Sequence, residues 1–311
     1  MANETVFKRY EGNPIITPAA VPTANTIFNS AAVRFGKGYA GVFRVDTQNL
    51  ECELHAGFSD DGIQWKLNPE RITVETDDPD VAPGGPVNPY DPRVTPLEGE
   101  FIVTYCSYPA GPGPHMGMAR TKDFKSFQLV SEILFPYNRN AVVFPRKVDG
   151  SYAALHRPSD PYHTRYGDIF YATSPDLVHW GNHRYLFGPR SGWQSGKVGA
   201  GPYPLETPEG WLMIYHGVRI TCNGYIYSAG AALLDLEKPW KLLYRTKRYL
   251  LAPTTEYERT GDVPNVVFPN AAILDEKTRQ IRLYYGAADT CVGLATADLD
   301  EVIAFVKENS L

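Results

Sequence analysis

An aromatic ring recurs at nearly even intervals along this chain. Trp65, Phe127, Trp180 and Trp240 lie 62, 53 and 60 residues apart. Each ends a similar element: Ser59-Asp60-Asp61-Gly62-Ile63-Gln64-Trp65, Thr121-Lys122-Asp123-Phe124-Lys125-Ser126-Phe127, Ser174-Pro175-Asp176-Leu177-Val178-His179-Trp180 and Leu236-Glu237-Lys238-Pro239-Trp240. A period of that length holds four short strands and their turns. Self-similarity at such a period is the mark of a repeat architecture, and four-stranded repeats arranged radially make a β-propeller.

The strand pairs upstream of these elements recur too. Ala31-Ala32-Val33-Arg34-Phe35 and Tyr39-Ala40-Gly41-Val42-Phe43 flank a Gly-Lys-Gly turn. The pattern returns at Arg93 and Phe101, at Ala141 and Tyr152, before Trp211, and at Ala271 and Ile281. Five copies fill nearly the whole chain, and no linker divides it. Residues 1–311 therefore read as a single all-β domain, a five-bladed β-propeller. Helical spacing is confined to a short C-terminal segment, residues 298–309. In such a ring the first strand of each blade lines a central channel. Residues just before those strands surround one mouth: Asn29, Asp91, Arg139, Lys197 and the segment 265–270.

Composition excludes several classes. The formal charge is −5, with acids and bases interspersed, which gives no basic surface for nucleic acid. No apolar run reaches membrane-spanning length, and the first residues lack an apolar signal core. The four cysteines, Cys52, Cys106, Cys222 and Cys291, have no metal-ligand spacing and no CxxC pattern. Free thiols in a reducing, cytoplasmic compartment are the expectation, with no metal and no organic cofactor. Twenty tyrosines, 14 phenylalanines and 5 tryptophans suit a carbohydrate cleft lined by rings.

The chemistry centres on Asn88-Pro89-Tyr90-Asp91-Pro92-Arg93. A residue before proline is biased to extended geometry, so Asp91 is expected on a stiff, extended segment leading into a strand. That suits an acid catalyst, and it also suits an ordinary turn. The cations weigh on the choice. Arg139 and Lys197 open the first strands of the third and fourth blades, and Arg157 and His216 fall at matching places in their second strands. Guanidinium forks and an ammonium suit a bound phosphate. Inverting hydrolysis of a glycosidic bond normally needs two carboxylates, one of them to activate water. Phosphate is already an anion and needs only a cradle, so one acid facing several cations suggests phosphorolysis.

The chain also resembles glycoside hydrolase family 130, the β-mannoside phosphorylases, over almost its full length. The matching stretches include Ile27-Phe28-Asn29-Ser30-Ala31, Tyr90-Asp91-Pro92-Arg93, Phe135-Pro136-Tyr137-Asn138-Arg139-Asn140, Arg157-Pro158-Ser159-Asp160, Lys197-Val198-Gly199-Ala200-Gly201-Pro202, Ile214-Tyr215-His216-Gly217-Val218 and Tyr284-Tyr285-Gly286-Ala287-Ala288-Asp289-Thr290. The resemblance is strongest to members acting on β-1,4-mannooligosaccharides and on mannosyl-N-acetylglucosamine. It implies Asp91 as the acid, working through the 3-hydroxyl of the donor mannose. It implies Arg139, Arg157, Lys197, His216 and Tyr227 as the phosphate set. Asn29, Arg44, Tyr90 and Asp289 then hold the donor sugar, and His163 reaches the acceptor. The implied partners are a mannose-containing oligosaccharide and inorganic phosphate as co-substrate, in a homo-oligomer of two to six chains. Hydrolysis, a β-1,2 linkage, a glucose acceptor and a glycan-binding propeller without chemistry remain the alternatives. Trp193, outside the periodic rings and close to Lys197, is the candidate for stacking on sugar. His55, His115, His179 and His183 read as surface or turn residues.

Overall fold

A computed structural model describes residues 5–77, 88–108, 113–134, 136–160 and 167–311. Five antiparallel sheets follow one another along the chain. The first holds Ala24–Phe35, Gly38–Thr47, Cys52–Ser59 and Lys66–Arg71. The second holds Tyr90–Leu97, Glu100–Ser107, His115–Thr121 and Phe127–Leu134, with Val74–Glu75 added in parallel at its outer edge. The third holds Asn138–Val143, Tyr152–Pro158, Ile169–Ser174 and Gly181–Phe187. In the fourth, Lys197–Ala200 and Leu205–Thr207 share the innermost place beside Gly210–Thr221, followed by Gly224–Leu234 and Leu242–Arg245. The first strands of the five sheets converge on one another. This is the expected five-bladed propeller.

Alternation along each strand supplies the core. Leu212 and Ile214 face the fifth blade, whereas Trp211, Met213 and Tyr215 face the third. Successive side chains of a strand point to opposite faces, so one strand serves two inter-blade layers. The core is thus a set of slabs between neighbouring sheets, with Tyr105 and Val42 filling the slab between blades one and two. Each large apolar side chain buried there contributes about 1.5–3 kcal/mol.

The recurring aspartate of the closing elements has a physical role. Asp61 Oδ1 accepts the backbone N–H groups of Ile63 and Gln64 at 2.7 and 2.8 Å. Asp123 does the same for Lys125 and Ser126, Asp176 for Val178 and His179, and Asp235 for Glu237 and Lys238. These are Asx-turns, each leading from a third strand to a fourth. In the fifth blade the corresponding residue is Asp298. It accepts from Asp300 and Glu301 and thereby caps the C-terminal helix Leu299–Glu308.

That helix takes the place of a fourth strand, which explains why the ring period stops at Trp240. The fifth sheet, Val267–Asp275, Gln280–Ala287 and Cys291–Asp298, is completed instead by Lys8–Arg9 from the other end of the chain. Arg9 anchors this closure with a two-pronged bond to the buried Glu258, at 2.7 and 2.9 Å. Nothing in the local sequence marks Lys8–Arg9 as that strand. Among the described residues, no helix is long and apolar enough to cross a membrane.

Candidate active site

In blades one, two and three the first strand carries the same irregularity. Pairing with the second strand slips between Phe28 and Ala31, between Tyr90 and Arg93, and between Arg139 and Val142. Asn29, Asp91 and Asn140 sit inside these slips with positive φ, at 42°, 50° and 57°. Asparagine and aspartate tolerate the left-handed region better than other side chains, and bulges re-aim a side chain out of the ladder. The fifth blade slips between Pro269 and Ala271, around Asn270. Asn29 and Asp91 meet across two blades: Asn29 Nδ2 donates to Asp91 Oδ1 at 2.9 Å.

Asp91 is therefore not extended, as Pro92 alone predicts. The local bias yields to the slip in the ladder, and the segment is held by Asn29 and Arg93. The Arg93 guanidinium is fully buried and donates to the Asp91 and Pro92 carbonyls, both at 3.1 Å. Its Nε reaches the Gly201 carbonyl at 2.7 Å, which braces the second blade against the fourth.

The carboxylate has a second anchor in Arg44, whose NH1 donates to Asp91 Oδ1 at 2.9 Å. Arg44 is itself gripped by both oxygens of Asp46, each at 2.8 Å. Burial disfavours charge on Arg44, but Asp91 and Asp46 outweigh it and raise its pKa. Both bonds to Asp91 fall on Oδ1. Among the described residues, no group is seen to donate to Oδ2.

Nine of the described residues line a cavity of about 270 Å³: Tyr90, Asp91, Arg139, Asn140, Arg157, Lys197, His216, Tyr227 and Phe268. Three are cations and one is a carboxylate. Burial, followed by the charges of Arg157 and Arg139, pushes Lys197 down to about 7; Asp289 and Asp91 offset only part of this. Burial and Arg139 push Arg157 down to about 10. Positive charges held out of water beside one another are a pocket short of an anion.

His216 is stacked on Phe268, with ring centroids 4.4 Å apart. Its Nε2 lies 3.3 Å from Arg157 NH1 and accepts from it, so the ring hydrogen sits on Nδ1. Burial and then Arg157 hold the His216 pKa well below its ordinary value, which keeps the ring neutral. Tyr227 closes this side: the Lys197 ammonium lies 5.0 Å from its ring centre, and its backbone N–H donates to Asn265. Asp289, partly exposed, is pushed up to about 7 by burial, against the pull of Arg44.

Buried polar atoms without partners are rare in folded proteins. Here most of them gather at the hub. Asn29 Oδ1, Asn140 Oδ1, Arg157 Nε, His216 Nδ1 and both amide atoms of Asn270 have none among the described residues. The set contains donors and acceptors, and it suits a ligand bearing both an anion and hydroxyls. No group of three metal-ligating side chains occurs among the described residues.

Residues 4–308 match the family described as β-1,4-mannooligosaccharide phosphorylase, glycoside hydrolase family 130. The chain belongs to that family. A β-1,4-mannooligosaccharide phosphorylase of Ruminococcus albus is 49% identical over 98% of this chain and 92% of its own length. A 4-O-β-D-mannosyl-D-glucose phosphorylase of Bacteroides fragilis is 29% identical over 98% of this chain and 81% of its own. Among solved structures, the β-1,2-mannobiose phosphorylase of Listeria innocua superposes with a TM-score of 0.84 at 29% identity. That match covers 97% of this chain and 99% of the other. The protein is thus a glycoside phosphorylase of family 130.

The structure brings Asp91, Tyr90, Arg139, Arg157, Lys197, His216 and Tyr227 to one cavity, with Asn29 and Arg44 on the acid. His163 lies outside the described residues. Trp193 is a correction: it stacks on Tyr215 inside the slab between blades three and four, and its Nε1 donates to the Lys247 carbonyl. Closeness to Lys197 in sequence does not carry across a sheet, whose two faces look opposite ways. His55 is buried rather than exposed, bonded to the Asn68 carbonyl and Glu53. Sequence reasoning placed Asn270 and Phe268 only within the mouth segment 265–270, and gave no role to Asn140, Asp46 or the bracing Arg93. Aligning Asn29, Asp91, Asn140 and Asn270 as one repeat position finds the two asparagines. The other three have no such signal.

Proposed function

We propose that this protein cleaves β-1,4-linked mannooligosaccharides by inverting phosphorolysis, with Asp91 as the acid and inorganic phosphate as the nucleophile. The observation that carries the reading is the cavity itself: one carboxylate faces Arg139, Arg157 and Lys197, with the donors Arg157 Nε and His216 Nδ1 unsatisfied among the described residues. The β-1,4 linkage is favoured by the 49% identity to the Ruminococcus albus phosphorylase.

In this mechanism phosphate occupies the cationic side, held by Arg139, Arg157, Lys197, His216 and Tyr227. Fixed donors in a dry site offset its desolvation and set the line of attack. The donor mannose lies between phosphate and Asp91, against Asn29, Arg44, Tyr90 and Asp289. Asp91 gives its proton to the 3-hydroxyl, which passes a proton to the glycosidic oxygen. A phosphate oxygen bonds to C1 from the opposite face as the C1–O bond breaks. The products are α-mannose 1-phosphate and an oligosaccharide one sugar shorter. No residue is needed to activate water.

The test is to incubate β-1,4-mannotriose with the protein, with and without phosphate. α-Mannose 1-phosphate forming only with phosphate supports the reading. Free mannose released at the same rate in phosphate-free buffer overturns it in favour of hydrolysis. The same reading takes the protein as cytoplasmic, in keeping with four unpaired cysteines. It also takes it as a homo-oligomer, since the outer strand of blade four exposes Leu242, Leu243 and Tyr244. A monomer in sedimentation analysis refutes the last point.

A further inference from the structure

The two arginines of the cationic pocket come from neighbouring strands, and one buried side chain ties both. Arg139 and Arg157 are paired across the third blade, at the last position before the slip. The next pair outward is Asn138 with Pro158, and proline has no N–H to donate. The Asn138 side chain takes over there. Its Oδ1 accepts the backbone N–H of Arg139 at 3.0 Å and that of Arg157 at 3.2 Å. Asn138 is 4% exposed, so water does not compete for these bonds.

The other end of the amide is also held. Asn138 Nδ2 lies 3.0 Å from His156 Nδ1, and His156 Nε2 lies 3.0 Å from His183 Nδ1. Donor accounting leaves one arrangement. Oδ1 accepts twice, so Nδ2 is the donor and His156 Nδ1 the acceptor. The His156 hydrogen is then on Nε2 and is given to His183 Nδ1. His156 is buried and His183 is exposed. Both lie in the wall of a second cavity, about 680 Å³, between blades two and three, on the far face of the sheet from Arg157.

We propose that Asn138 and His156 are positioning residues for the phosphate site: they fix the backbone of both arginines and so set the affinity for phosphate rather than for mannoside. The inference rests on the phosphorolysis reading above. Neither side chain lines the cavity that holds Asp91, so neither is expected to touch substrate. Their effect is geometric, because a guanidinium fork binds an anion only when aimed at it.

The experiment compares His156→Phe, which removes the acceptor for Asn138, with His156→Asn, which returns one near the Nδ1 place. In the full-length protein, His156→Phe is expected to raise the KM for phosphate, and for α-mannose 1-phosphate in reverse, about tenfold. The KM for mannotriose stays within twofold, and His156→Asn recovers most of the loss. Should His156→Phe fail to fold, His183→Ala carries the test from the exposed end, with a rise in phosphate KM of about threefold expected. An unchanged phosphate KM in the folded variant overturns the proposal, as does an equal rise in both KM values, which marks a merely structural role. If instead the wild-type protein needs no phosphate, it is the phosphorolysis reading that fails.

Discussion

The propeller uses aspartate and asparagine at two repeated places, the rim and the hub, and the two sets behave in opposite ways. At the rim, Asp61, Asp123, Asp176, Asp235 and Asp298 each accept two backbone N–H groups. Those bonds hold Asp61, Asp123 and Asp176 below the usual carboxylate range, and water reaches the side chains. At the hub, Asn29, Asp91, Asn140 and Asn270 are buried in slips of the ladder, and the three asparagines keep atoms without a partner among the described residues. A satisfied polar group is finished business for the fold. An unsatisfied one in a dry place is held there at a cost, and a ligand removes that cost.

The largest effect expected from this contrast is at Asp91. Asp91→Asn keeps the bonds to Asn29 and Arg44 possible but removes the proton source. Turnover should fall by about 10²–10⁴, while mannotriose binding measured by calorimetry survives. A drop confined to binding would break the distinction between hub and rim. Next comes the cationic side. Lys197→Ala should raise the phosphate KM by roughly tenfold to a hundredfold, on the scale of a charged hydrogen bond, and leave the mannoside KM nearly unchanged.

Acidity sharpens the same point. With Lys197 pushed down to about 7 by burial and its neighbours, it is charged below that pH and neutral above it. The phosphate KM should therefore climb as pH rises from 6 to 8.5. Lys197→Arg should flatten the climb, because arginine stays charged throughout. An identical pH profile in wild type and variant assigns the dependence to another group. The smallest effect belongs to the rim. Asp298→Ala removes a helix cap and should cost about 0.5–2 kcal/mol, read as a lower Tm with kcat/KM intact. Lost activity at unchanged Tm would mean that the rim takes part in chemistry.

Much of this was legible in the chain alone, for reasons of distance. Strand alternation and the turn aspartates are each written within a few residues, and the ring period is a plain spacing along the chain, so their signal survives without a fold. The cations were found because repeat positions map onto neighbouring blades. His183 is exposed, as read from the sequence, but that reading says nothing of the buried His156 that it caps.

The sequence by itself determined the five repeats and the residue types that stand before their first strands, because local pattern and periodicity encode them; the role proposed for Asp91 came from the family resemblance. Only the tertiary structure decided the left-handed turn of Asp91, the brace of Arg93 across to Gly201, the grip of Arg44 and the closure by Lys8–Arg9. These join residues from 47 to 288 positions apart. Such contacts exist only once the ring has closed, since closure brings four distant bulges to one axis and excludes water from them.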